Sequence, residues 1–295
     1  MQTREKTERT GRRTDIAETA RSLRDSGQWA ALTEHLNSLP PSELDPDLHV
    51  MSAQAAMMTG DIHRAIQVVD QVLASMDDLP VSVRAYALLI RSASSRARGF
   101  TQKALEDASV ATAMLKAQTS PPELLIQGHK QIGIALATTG ELDGAIDHLE
   151  RALRLCARSS NLNLQAEIQN ALGVAYFRLG RLPEAQVHYK NAAAAFRKLD
   201  SRSALADLYN NMGWLHFNLA EYAPALDFYQ RSLDLARGAK YNRTVSMAMV
   251  NIGDVHVALG EYAKAIASYE EALQFGADVL EPRLFCCANA GLGSA

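Results

Sequence analysis

The stretch Ala206–Leu233 reads ADLYNNMGWLHFNLAEYAPALDFYQRSL. Leu208, Met212, Leu215 and Leu219 recur at helical spacing, so it opens with an amphipathic helix. The chain breaks near Ala220 and Glu221, and Tyr222, Leu226, Tyr229 and Leu233 mark a second helix. Pro224 falls in the first turn of that helix, where a missing N–H costs nothing. Ala225 is small, which lets the two helices approach closely.

The pattern repeats outward. Gly133, Gly173, Gly213, Gly253 and Gly293 fall 40 residues apart; Ala145, Ala185, Ala225 and Ala265 keep the same step, as do Leu149, Tyr189, Tyr229 and Tyr269. The preceding repeat has a helix from about Leu162 to Leu179, a break at Gly180, Pro183 in the next first turn, then Ala185, Tyr189 and Ala192. The following one breaks at Gly260 and continues with Tyr262, Ala265, Ile266, Tyr269 and Ala272; Gly140 breaks the earlier one. Glycine suits these breaks because it tolerates the left-handed end of a helix. Weaker copies lie upstream: Gly99 with Ala104 and Ala108, Gly60 with Ala65 and Val69, Gly27 with Trp29 and Leu32. Pro40, Pro41 and Pro46 separate the first two, and Pro121 and Pro122 precede the strong ones. A fixed period with helical patterning inside it means stacked helix pairs, so the expected fold is all-α, a superhelical solenoid of about seven helix pairs.

The expected organisation is a basic tail over 1–13, degenerate helical repeats over 14–120 and well-formed repeats over 121–295. Glu281–Ala295 restarts the first helix of an eighth repeat, with Leu292 and Gly293 in register with Leu172 and Gly173. The chain stops inside that helix, and a solenoid end needs a polar cap. The expectation is a piece of a longer protein, or another subunit, self-association included, that covers this helix; the alternative is a natural terminus with a frayed helix.

The net charge of −3 gives no electrostatic case for nucleic-acid contact. No apolar run is long enough to span a bilayer. Cys156, Cys286 and Cys287 form no CxxC and no even framework, which fits a reduced, cytoplasmic setting. Arginine outnumbers lysine 22 to 8, a pointer to a bacterial source. No Ser-His-Asp order, phosphate-binding glycine loop or nucleotide fingerprint is present, so neither an enzyme nor a cofactor is expected. His216 with His256, and His148 with His188, stand one repeat apart. No ligand set completes a four-coordinate site around them, so no metal is expected.

The run Leu172-Gly173, Tyr176, Gly180, Ala185, Tyr189 and Ala192 resembles a tetratricopeptide repeat, as do Met212-Gly213, Ala225 and Tyr229, and Ile252-Gly253, Gly260, Ala265, Tyr269 and Ala272. The likeness covers about residues 125–295 well and 45–120 loosely. Two features depart from the motif. The period is 40 against about 34 in the usual repeat, and Gln169 and Met249 replace the early aromatic, with Tyr209 alone close. The longer period resembles that of spindle-orientation adaptors, kinesin light chains and bacterial tetratricopeptide regulators. The resemblance implies a right-handed superhelix whose concave groove is lined by first helices and takes peptides or an effector.

The first-helix stripe is rich in amides. Asn211 and Asn251 share one repeat position with Gln131; Asn170 and Asn210 share the preceding one with Lys130. A carboxamide offers a donor and an acceptor and pairs with peptide backbone as a neighbouring strand does. The resemblance carries backbone contact onto Asn211 and Asn251. Adjacent helix residues point about 100° apart, so the two sets do not face the groove equally. The other use of such amides is capping turns or bonding neighbouring helices. Trp214 and Asp254 occupy the next groove position, with Arg178 and Asn218 a turn further on; Trp214 suits either an apolar anchor for a partner side chain or, the reading favoured slightly, ordinary packing between repeats. Glu167 and Asp207 share an outer-groove position that suits either recognition of a basic ligand or, the reading preferred, solvated carboxylates near helix starts. Tyr189, Tyr229 and Tyr269 read as core.

The leading expectation is a protein- or peptide-binding scaffold, the sensing arm of a larger signalling or transcription-regulating protein. The alternative is a small-molecule effector domain of a bacterial transcription activator. Asn211→Ala with Asn251→Ala is expected to weaken binding without lowering stability.

Overall fold

A computed structural model describes residues 14–24, 28–40, 43–75, 79–117, 122–159, 161–238 and 241–276. The basic tail, Gly27, Pro41, Pro121, Cys286, Cys287 and the start of an eighth repeat lie outside the described residues. Within them the chain forms fourteen helices and no strand. None of these helices is long and apolar enough to cross a membrane.

The chain divides into two compact units between Thr139 and Gly140. The first holds α1 (14–24), α2 (Trp29–Asn37), α3 (Pro46–Met58), α4 (Ile62–Ser75), α5 (Val81–Ala97), α6 (Thr101–Lys116) and α7 (Pro122–Thr139). Its core is a relay. Ile16, Ala20, Leu32, Leu36, Leu48 and Met51 join α1, α2 and α3. Val50, Val69, Val72, Tyr86 and Ile90 join α3, α4 and α5. Ala85, Leu88, Ala108, Leu115 and Ile132 join α5, α6 and α7. Each helix packs on near neighbours in the sequence, as a linear repeat array requires. Arg91 on α5 ties this unit further, with a two-pronged bond to Asp107 on α6 at 2.8 Å and a bond to Asp70 on α4 at 2.8 Å.

The second unit holds α8 (Leu142–Cys156), α9 (Leu162–Arg178), α10 (Leu182–Lys198), α11 (Arg202–Asn218), α12 (Tyr222–Gly238), α13 (Asn242–Ala258) and α14 (Tyr262–Gly276). The small residues that mark the period, Ala145, Ala185, Ala225 and Ala265, are fully buried, and so are Ala65 and Ala104 of the first unit. Tyr189, Tyr229 and Tyr269 are the largest fully buried side chains among the described residues. Each ring lies on the glycine of its own first helix. A Cβ built on Gly213 would stand 2.6 Å from Tyr229, and one on Gly253 2.5 Å from Tyr269; Gly173 is as tightly covered by Tyr189. The 40-residue echo of glycine and tyrosine is therefore one contact, a ring seated where a side chain has been deleted.

First helices end alike. The N–H of Arg181 reaches Tyr176 O at 2.9 Å, and that of Glu221 reaches His216 O at 2.9 Å, the 6→1 bond of a Schellman motif. The motif needs a left-handed residue. Gly180 (φ 82°) and Gly260 (φ 74°) supply it without strain, whereas Ala220 (φ 56°) adopts it with a Cβ.

Candidate functional site

Within the second unit, α11 packs against both α9 and α13. The three are first helices, each held on its glycine face by the tyrosine of its second helix. Their remaining faces carry the amide stripe.

The amides bond to one another across helices. Asn211 Nδ2 donates to Asn170 Oδ1 at 3.0 Å, and Asn251 Nδ2 donates to Asn210 Oδ1 at 2.8 Å. The result is a two-rung ladder from α9 through α11 to α13. Ala171 and Val250 hold the places where further rungs would need an amide. Asn210 is buried at 5 % exposure, while Asn170, Asn211 and Asn251 are half-buried. The two amide positions thus face differently, as 100° per residue requires, yet they cooperate. The Oδ1 atoms of Asn211 and Asn251 carry no bond to the described residues and remain acceptors at the surface. One expectation is corrected here. Asn251→Ala strips the donor from buried Asn210, so the double alanine variant lowers stability as well as touching the groove.

Trp214 follows one turn on. It is 36 % exposed, and its ring meets Phe177 of α9 edge-on at 4.5 Å. Asn218 donates to Trp214 O at 2.8 Å, which turns this amide to its own helix. Arg178 is exposed at the end of α9. Asp254 is half-buried and accepts from the Tyr269 hydroxyl at 2.6 Å. Burial pushes its carboxyl above the usual range, partly offset by that bond. Lys130 and Gln131 sit half-buried on α7, in the first unit. The Gln131 Oε1 is buried without a partner.

The reading of Asp207 as a solvated carboxylate is also corrected. It is half-buried and accepts from Thr244 Oγ1 of α13 at 2.7 Å, and burial raises its carboxyl in turn. Glu167 does accept from Asn163, four residues earlier, at 2.8 Å at the surface. The histidines serve turns and packing. His256 Nδ1 meets Glu261 at 2.7 Å and His216 meets Glu221 at 2.5 Å, each pair bracketing its own left-handed turn. His188 stacks on Tyr176 at 5.1 Å and bonds Gln169 at 2.6 Å. Burial lowers its pKa, against the pull of Glu150 and Glu184, and so favours the neutral ring. The Phe177–Trp214, Tyr269–Asp254 and His–Glu pairs went unread in the sequence. The last carried a signal, a five-residue step repeated in consecutive repeats.

A tetratricopeptide-repeat family model matches residues 124–198 and 164–238, and a second matches 248–275. A search of curated proteins returns no significant match. Among solved structures, a Rap protein complexed with Competence and Sporulation Factor superposes with a TM-score of 0.76 at 13 % identity, over 96 % of this chain and 80 % of that one. NprR in complex with its cognate peptide NprX gives 0.69 at 18 %, over 96 % and 82 %. A tetratricopeptide repeat protein from Parabacteroides merdae ATCC 43184 gives 0.58 at 14 %, over 96 % and 98 %. At these identities the likeness is one of fold.

Proposed function

Because this chain belongs to the tetratricopeptide-repeat family, with matching repeats over 124–238 and 248–275, we propose that it is a peptide-binding scaffold whose site is the amide stripe of α9, α11 and α13. The observation that carries the reading is the Asn170–Asn211 and Asn210–Asn251 ladder beside exposed Trp214. Each ladder bond fixes a carboxamide, so its outward oxygen is pre-positioned for a backbone N–H and loses little entropy on binding. The Trp214 indole offers an apolar anchor of the kind that dominates interface energetics. Each amide contact contributes about 0.5–1.5 kcal/mol net. The complex of NprR with its cognate peptide NprX, on the same fold, supports the reading.

The finer reading is a sensing arm. Occupancy of the groove is passed to an output partner or domain in a bacterial cytoplasm, with no chemistry performed and no nucleic acid touched by this region. The test is binding of peptides selected on the wild-type chain from a random-peptide display library. Asn211→Ala and Trp214→Ala, each checked for a retained helical melt, should weaken those peptides. Selected peptides that bind both folded variants as tightly as wild type would place the site elsewhere.

A further inference from the structure

Asp254 differs from the ion-paired acids among the described residues; Asp207, the other acid that burial raises, takes the Thr244 hydroxyl and feels the charge of Arg243. Asp107 and Asp70 share Arg91 at 2.8 Å, Glu261 takes Lys264 at 3.0 Å and His256 at 2.7 Å, and Glu221 takes His216 at 2.5 Å. Asp254 is half-buried with one bond, from the Tyr269 hydroxyl, and among the described residues it pairs with no lysine, arginine or histidine. On its own helix the nearest lysine or arginine is Arg243, which bonds Tyr241, while His256, two residues on, is taken by Glu261. Eleven residues of helix separate Arg243 from Asp254, about 16 Å along the axis. The desolvation that raises the Asp254 carboxyl is the mark of a charge without a counter-ion.

Its surroundings belong to the amide stripe. Asn251 lies one turn back on α13 with its Oδ1 outward. Trp214 holds the same repeat position on neighbouring α11, exposed and braced by Phe177. A carboxylate lacking a cation, an acceptor amide and an aromatic surface on packed helices complement one kind of side chain: a cation on an apolar stem.

Resting on the peptide-binding reading, we infer that the groove selects an extended peptide segment carrying an arginine or lysine, whose cation pairs with Asp254 while its stem lies toward Trp214. This assigns the ligand's charge at one position, which the amide contacts alone leave open.

The test uses pools of end-blocked peptides, random except for one position fixed as Arg, Lys, Gln or Glu, against the full chain. Wild type should prefer the Arg and Lys pools to the Gln pool by about tenfold, a charge-assisted bond's worth. Asp254→Asn, whose amide still accepts from Tyr269, should lose that preference while remaining folded, with a melt at or above that of wild type. Asp254→Ser serves as a second variant should the first melt early. Equal binding of all pools by wild type, or a cation preference that survives in a folded Asp254 variant, overturns the inference and leaves the peptide reading standing. No binding by any pool overturns both.

Discussion

Asn251 donates its side-chain amide to Asn210 at 2.8 Å across 41 residues of sequence, and Asn211 treats Asn170 the same way at 3.0 Å. The step is one residue longer than the repeat. On α11 two asparagines therefore stand side by side, Asn211 reaching back to Asn170 of α9 and Asn210 receiving from Asn251 of α13. Asn210, the receiver, is buried at 5 % exposure.

Removing the donor should be felt in stability. Asn251→Ala leaves the Asn210 oxygen buried and unpaired, which costs about 1–3 kcal/mol. Asn210→Ala in the same background should recover part of that loss, because no orphan remains. Urea unfolding of the two single variants and the double variant measures the coupling. Strictly additive losses would mean that the bond does not form in solution.

The glycine–tyrosine seat was legible because both partners recur at the same 40-residue step, so identity alone exposed them. The ladder was not legible, since its partners occupy different repeat positions and an alignment at the period keeps them apart. Asp207 was misread for a related reason. Its position near a helix start suits a solvated carboxylate, but its partner Thr244 comes from the next repeat. The Trp214 environment depended on Phe177, a residue that reads as one more apolar position of its helix. What repeats in one chain is readable from one chain; what is specific to a single junction needs coordinates.

The tyrosine hydroxyls separate two repeats that look equivalent. Tyr269 donates to Asp254, whereas Val174 stands where Tyr189 would need that acceptor, and the Tyr189 hydroxyl is buried without a partner. Tyr189→Phe should therefore be neutral or stabilising, while Tyr269→Phe should cost about 1–2 kcal/mol by leaving a shielded carboxylate without its donor. Thermal or urea unfolding decides it, and equal losses in the two variants would contradict the assignment.

Ala220 offers a stabilising change. It holds the left-handed position that Gly180 and Gly260 hold in the flanking repeats, at φ 56°. A Cβ there costs about 1–2 kcal/mol, partly offset by the greater freedom glycine gives the unfolded chain. Ala220→Gly should raise stability by about 0.5–1 kcal/mol. A lower melting temperature for this variant would show that the turn is not strained.

Two carboxyl groups give the second unit a pH signature. Burial raises the pKa of Asp207 and of Asp254, against the pull of the Thr244 and Tyr269 hydroxyls. A raised native pKa means that the folded state binds more protons than the unfolded chain between the two values, so stability falls as pH rises through that window. The penalty is absent below the ordinary carboxylate pKa of about 4 and complete once pH exceeds the native values. Asp207→Asn with Asp254→Asn keeps an oxygen for each hydroxyl and removes both charges. The double variant should melt above wild type at neutral pH, and the gain should vanish below about pH 4. Melts across that range measure the difference. A gain that does not change with pH would assign the stabilisation to packing and not to the two charges.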